Sequence, residues 1–263
     1  MRSLRRRIAP GVRSVPVPAP DRPVNTSHAS RVVGHGTQAS CTSAAVVAAV
    51  RAGGIIRFSC GRKPVTIRMS ATAGEQFDGG GGGAIFARGG RLRIVNSVFT
   101  GNRCERDGPD IGGGAVRALS QYNDRPVYVV NSRFSANVCS NGGALSSIGV
   151  SWTVLNSRFL SNRAIGIGAN PAQAGMPGGG SGGAIYNDGD RMTLSIAGSS
   201  FTDNNANEGG GAIFFVSDNR TGTMAIKDST LERNRSERFQ TAGLPGIFFL
   251  GARKPTITGS VLR

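Results

Sequence analysis

Most of the side chains that usually carry chemistry are scarce in this 263-residue chain. Its two histidines, His28 and His35, both lie near the N-terminus, so everything downstream lacks an imidazole to act as base or metal ligand. There is one tryptophan, and charged residues make up only 17% of the chain. The four cysteines form no Cys-x-x-Cys pair, which argues against a structural zinc site. No apolar stretch approaches the roughly 18 residues of a membrane span. Nor does a run of about 7–15 apolar residues follow the basic start, as a secretory signal would require. The glycine-rich run Gly178–Gly183 lacks the Lys-Ser/Thr of a phosphate-binding loop, so no nucleotide site is expected there. The tripeptide Gly34-His35-Gly36 stands alone and is given no role.

Two things are abundant. Glycine, at 40 residues, is about twice as frequent as usual but follows no three-residue period, which excludes a collagen-like chain. Lys and Arg number 31 against 15 Asp and Glu, a net charge of +16. Such a balance speaks to partners and solubility, not to fold. Acidic polysaccharide or a cell-wall polymer is the expected partner class, and nucleic acid is not. A plain solubilising surface is the competing explanation. Residues 1–30, rich in Arg, Pro and Ser, read as a disordered basic leader.

Beyond the leader, a phrase returns. Gly-Gly-Ala occurs at 82–84, 113–115, 142–144, 182–184 and 210–212, with its alanines separated by 31, 29, 40 and 28 residues. Each triplet leads into apolar residues, and an alternating segment follows: "RLRIVNSVF", "PVYVVNSRF", "WTVLNSRF", "TLSIAGSSF", "MAIKDSTL" and a weaker last copy ending "TITGSVL". Two short strand patterns in every repeat of this length predict an all-β, right-handed parallel β-helix over residues 71–263. Successive coils stack about 4.8 Å apart, so equivalent residues form columns. Ile94, Val129, Val154, Ile196, Ile226 and Ile257 make one inward column, and Phe99, Phe134, Phe159, Phe201, Leu231 and Leu262 another. Trp152 falls in the column of Leu92, Val127 and Met224, which predicts core packing. Asn102, Asn137, Asn162, Asn204 and Asn234 are expected to form an amide ladder at a bend, satisfying backbone groups that the corner leaves open.

Cys104 and Cys139 hold the same position in consecutive coils, a spacing that suits a disulfide. Residues 31–70 read as an N-terminal cap, with a short helix capped by Thr42 or Ser43 and stopped at Gly53-Gly54. The strands "IIRFSC" and "VTIRMS" follow it, and Cys41–Cys60 would pin the unit. Two disulfides imply an oxidising compartment. The expected location is therefore extracellular or at the cell surface, with any export signal upstream of an incomplete start.

The Gly-Gly-Ala and Phe-x-x-Asn pattern resembles the repeats of the pectin-lyase-like superfamily and of polymorphic outer-membrane-protein passengers. The run through "NGGALSSIGVSWTVLNSRF", "GANPAQAGMPGGGSGGAIYNDGDRMTL" and "EGGGAIFFVSDNRTG" is similar to bacterial secreted right-handed parallel β-helix proteins. The cap matches their opening at Cys41, Gly53-Gly54, Phe58, Cys60-Gly61 and Thr66-Ile67. The resemblance implies the fold firmly and the chemistry weakly. Lyases of this class use calcium-binding carboxylates with an Arg or Lys base, and hydrolases use clustered aspartates.

Candidate residues lie on the outside. Asp188 and Asp190 form the best acidic pair, about 6.5–7 Å apart if the strand stays extended. Asn187-Asp188-Gly189 is also a turn signal, which would splay them. Asp107 and Asp110 suit calcium or a plain bend. Arg133 and Arg158 follow the same serine in adjacent coils and, with Arg103 and Arg163, could form a basic stripe. The longest insertion, 163–181, is a natural binding loop. The leading expectation is a monomeric secreted or surface protein that binds anionic polysaccharide or cell-wall polymer through its basic face and loops, without a cofactor. A polysaccharide lyase, which would add calcium, or a glycoside hydrolase is the alternative, and a structural or adhesive repeat is the third.

Overall fold

The computed structural model describes residues 13–19, 22, 25, 27–71, 73 and 80–263. Most of the leader thus lies outside the described residues. Six coils stack with every strand parallel to its neighbours, and the crossovers take the right-handed sense usual for parallel connections. Three faces carry six strands each. The first runs from Ile85–Arg88 to Ile247–Leu250, the second from Arg93–Val95 to Thr256–Thr258, and the third from Val98–Thr100 to Val261–Leu262. A short fourth face joins Val138–Cys139, Arg163–Ala164, Asn205–Ala206 and Arg235–Ser236.

Each alternating segment therefore holds two strands, not the single strand its pattern suggests. Asn96, Asn131 and Asn156 adopt φ of 52°, 49° and 50°, and Gly198, Asp228 and Gly259 repeat that left-handed bend in the later coils. Asparagine tolerates this region better than other non-glycine residues, so the chain turns a corner in the middle of the segment.

Register puts like on like. Ile94, Val129, Val154, Ile196, Ile226 and Ile257 are successive Cα partners. The rings of Phe99, Phe134, Phe159 and Phe201 stack face to face at 5.0, 5.0 and 4.5 Å. Trp152 is fully buried and donates its indole N–H to Ser147 Oγ at 2.8 Å. Along the asparagine column each side-chain amide donates to the next side-chain oxygen, at 2.8, 2.9, 2.9 and 2.8 Å from Asn102 to Asn234. Each backbone amide from Asn102 to Asn204 donates to that same oxygen. A second ladder accompanies it at the other corner. Ser132, Ser157, Ser199, Ser229 and Ser260 each accept the backbone N–H of the serine one coil earlier through Oγ, at 3.0–3.2 Å. The glycine pair is required by crowding: a Cβ on Gly183 would collide with the carbonyl oxygen of Gly211 in the next coil.

The cap has its own small core of Val33, Cys41, Val46, Ala49, Cys60 and Ala73. Its helix spans Ser43–Ala52, with Thr42 Oγ1 accepting the Ala45 amide at 3.2 Å. Ile56–Phe58 pairs with Arg31–Val33, but no regular strand forms over 65–70, where "VTIRMS" promised one. Disulfides join Cys41 to Cys60 and Cys104 to Cys139, with Cα separations of 5.6 and 4.9 Å.

Candidate functional site

Strand alternation sends Ile185 and Asn187 inward and Tyr186 and Asp188 outward. Tyr186 nevertheless escapes solvent, because loops cover the first face. The 163–181 insertion folds back over it, with Ile167 and Ala169 bridged to Gly178 and Gly179. The 103–112 loop meets this insertion where Gly108 donates its amide to Gly178 O at 3.2 Å. Glu208, buried, accepts the Gly168 amide at 2.8 Å and faces Arg238 at 3.5 Å, tying in the 236–245 loop. Three loops, the 163–181 insertion among them, thus converge.

Beneath them lies a groove of about 260 Å³ lined by Asp110, Ile148, Asn170, Pro171, Asp188 and Phe214, with Val216 and Asp218 at its upper end. Asn170 reaches down from the insertion and donates through Nδ2 to Tyr186 Oη at 2.8 Å and to Asp188 Oδ2 at 3.1 Å. Tyr186 donates its hydroxyl to the same Asp188 oxygen at 2.7 Å. The Tyr186 ring stacks on Phe214 at 4.9 Å, and Phe214 on Phe248 at 5.2 Å. Burial raises the pKa of Asp188, and the nearby carboxylates Asp218 and Asp110 add to the rise, while its bonds from Tyr186 and the Gly189 amide oppose it. Burial also pushes the Tyr186 hydroxyl well up, helped by the Asp188 charge.

The pairing of Asp188 with Asp190 does not form in this groove. The strand ends at Gly189, and Asp190 turns out to solvent with its carbonyl accepting Ser217 Oγ at 2.6 Å. Asp188 meets Asp110 and Asp218 instead. Asn170 and Tyr186 escaped sequence reasoning. Two-residue alternation from the inward Ile185 is the signal that would have placed Tyr186 outside. Among the described residues, no three His, Cys, Asp or Glu side chains gather as a metal site would require.

The arginines lie on other faces. Arg133 and Arg158 are Cα partners on the third face, both exposed. Arg103 and Arg163 flank Val138 on the fourth, also exposed. Among the described residues, none of these four is in an ion pair. Higher on the same faces, Arg233 pairs with Asp203 at 2.7 Å, Arg235 with Glu237 at 3.3 Å and Arg263 with Glu232 at 2.9 Å.

A family model described as the Chlamydia polymorphic membrane protein repeat matches residues 198–216. The chain is similar to that repeat over this stretch, which runs from the Gly198 corner through Gly-Gly-Ala into the first-face strand. Comparison with curated proteins and with solved structures gives no match. Repeat and fold together mark a β-helix repeat protein. No helix among the described residues is long and apolar enough to cross a membrane.

Proposed function

We propose that this is a secreted or surface β-helix protein that binds an anionic polysaccharide or cell-wall polymer along its third and fourth faces, through Arg133, Arg158, Arg103 and Arg163. The observation that carries this reading is the in-register placement of Arg133 and Arg158 without a carboxylate partner. Like charges directly opposite on neighbouring strands repel, at a cost of up to about 1 kcal/mol on a solvated surface. Solubility alone gives no reason to stack two guanidinium groups, whereas an anion bridging them reverses the sign of the interaction. The first-face groove is a poor place for the same ligand, since its lining includes three carboxylates and no Arg or Lys. The outer-membrane repeat matched at 198–216 supports the surface setting. Retention on immobilised polygalacturonate tests the reading. Wild type should elute only at raised salt, and Arg133→Gln/Arg158→Gln should elute much earlier. Equal elution of the two proteins would end it.

A second reading is favoured by one observation, the raised pKa of Asp188 in a groove of sugar-compatible size. A carboxyl group whose pKa is raised by burial is suited to protonate a glycosidic oxygen. Hydrolysis fits better than lyase chemistry, because the groove lining lacks the Arg or Lys base that a lyase of the resembling class uses. Reducing-end release from glycans, abolished in Asp188→Asn, would support it, and its absence across a glycan panel would remove it.

A further inference from the structure

Residues 13–15, far from the coils in sequence, lie across the corner between the second and third faces. Asn156 pairs with both backbone groups of one leader residue: Val15 donates its N–H to Asn156 Oδ1 at 2.8 Å, and Asn156 Nδ2 donates to Val15 O at 2.9 Å. Two coils higher, the Arg13 N–H donates to the Asp228 carbonyl at 3.1 Å. The coil between them supplies Gly198, with φ of 59°, where a Cβ would stand 2.8 Å from Arg13 O and 3.1 Å from Val15 N. Asn156, Gly198 and Asp228, stacked in consecutive coils, thus cradle an extended segment that enters backbone first. Lower down, at the first coil, Arg93 Nη1 donates to Arg22 O at 3.4 Å.

The cradle borders the third face. Asn156 stands two residues before Arg158, and Asn131 two before Arg133. Moving up that face, the register position of Arg133 and Arg158 falls to Ser200 and then to Thr230, which is buried, so the basic column stops at the third coil. Arg13 is exposed and is held at Asp228, level with Thr230. Among the described residues it makes no ion pair, and Asp228 offers it a carbonyl, not its carboxylate. Lys227, exposed, stands beside the same anchor. The tethered segment returns a cation to the two coils where the column runs out, about 10 Å above Arg158 at the coil spacing.

We infer that Arg13, held by the Asn156–Gly198–Asp228 cradle, is a further cationic contact of the polyanion site and extends it from the second coil to the fifth. This rests on the polyanion reading of Arg133 and Arg158. Ligand spanning all three guanidinium groups therefore also fastens the segment to its corner.

The test uses the full chain and oligogalacturonate, with affinity measured across a salt series and trypsin cleavage after Arg13 followed by mass spectrometry. Asn156→Gly keeps the left-handed bend, as Gly198 does in the same column, and removes only the amide. Arg13→Gln should weaken binding about fivefold and flatten the salt dependence. Asn156→Gly should weaken binding to a similar degree and speed cleavage after Arg13, while ligand should slow that cleavage in wild type. Wild-type affinity in both variants, with Arg133→Gln/Arg158→Gln still impaired, would overturn the inference and leave the polyanion reading standing. Failure of wild type to bind at all would overturn both.

Discussion

Replacing Asn162 with alanine isolates what the amide ladder contributes. Asn162 is fully buried in the third coil and makes hydrogen bonds in both directions. Its side-chain oxygen accepts the Asn137 N–H at 3.1 Å and Asn137 Nδ2 at 2.9 Å. Its own Nδ2 donates to Phe134 O at 3.1 Å and to Asn204 Oδ1 at 2.9 Å. In the alanine variant Asn137 Nδ2 still reaches Phe99 O at 3.2 Å, but the Asn137 N–H loses its acceptor where water cannot follow. An orphaned buried donor costs about 1–3 kcal/mol, and each further lost bond about 1 kcal/mol. The expected loss is about 3–5 kcal/mol, a large share of the stability of a domain this size. Asn234 provides the internal control, because it is only half-buried and water can replace part of what is lost. Asn234→Ala should cost about half as much. Urea unfolding followed by the fluorescence of Trp152, the one tryptophan, reads both variants. A loss below about 1 kcal/mol at Asn162, or equal losses at the two positions, would refute the reasoning.

Three further outcomes are expected. Removing the Cys104–Cys139 link, which closes a separation of 35 residues, should cost about 3–4 kcal/mol in the chain-entropy account, seen as a urea midpoint shift in Cys104→Ser/Cys139→Ser. Gly183→Ala forces a methyl group against Gly211 O and should destabilise by about 3 kcal/mol or more, whereas Gly90→Ala, with open space around it and no left-handed φ, should be far milder. Asp188 should titrate above its ordinary value by carbon-detected NMR. With a folded pKa above the unfolded one, the native state holds the extra proton. The contribution of Asp188 to stability is therefore greatest below the unfolded pKa and falls as pH rises through the folded one. A titration at or below the ordinary value would contradict the burial argument.

Much of the architecture is legible in the residues because a solenoid writes its period into the sequence. The isoleucine, phenylalanine and asparagine columns and the Cys104–Cys139 pair each follow from one repeat length and the coil spacing. The corner inside each alternating segment is less visible. Val95-Asn96-Ser97 reads as continuous strand unless the asparagine is taken as a left-handed bend and the serine as the start of a second ladder. The groove was harder still. Its parts come from four coils, and neither Asp110 nor Asn170 lies on a first-face strand. Only the fold-back of the 163–181 insertion brings Asn170 to Tyr186 and Asp188. The docking of Val15 on Asn156 spans 141 residues and involves leader backbone, which has no pattern to read.

The most direct test of the functional account is calorimetric titration of the full chain with oligogalacturonate over a range of salt concentrations. The arginine column predicts binding whose logarithm falls linearly with the logarithm of salt, as counterion release requires. It also predicts a slope made shallower by about two contacts in Arg133→Gln/Arg158→Gln. Binding indifferent to salt, or an unchanged slope in that variant, would contradict it.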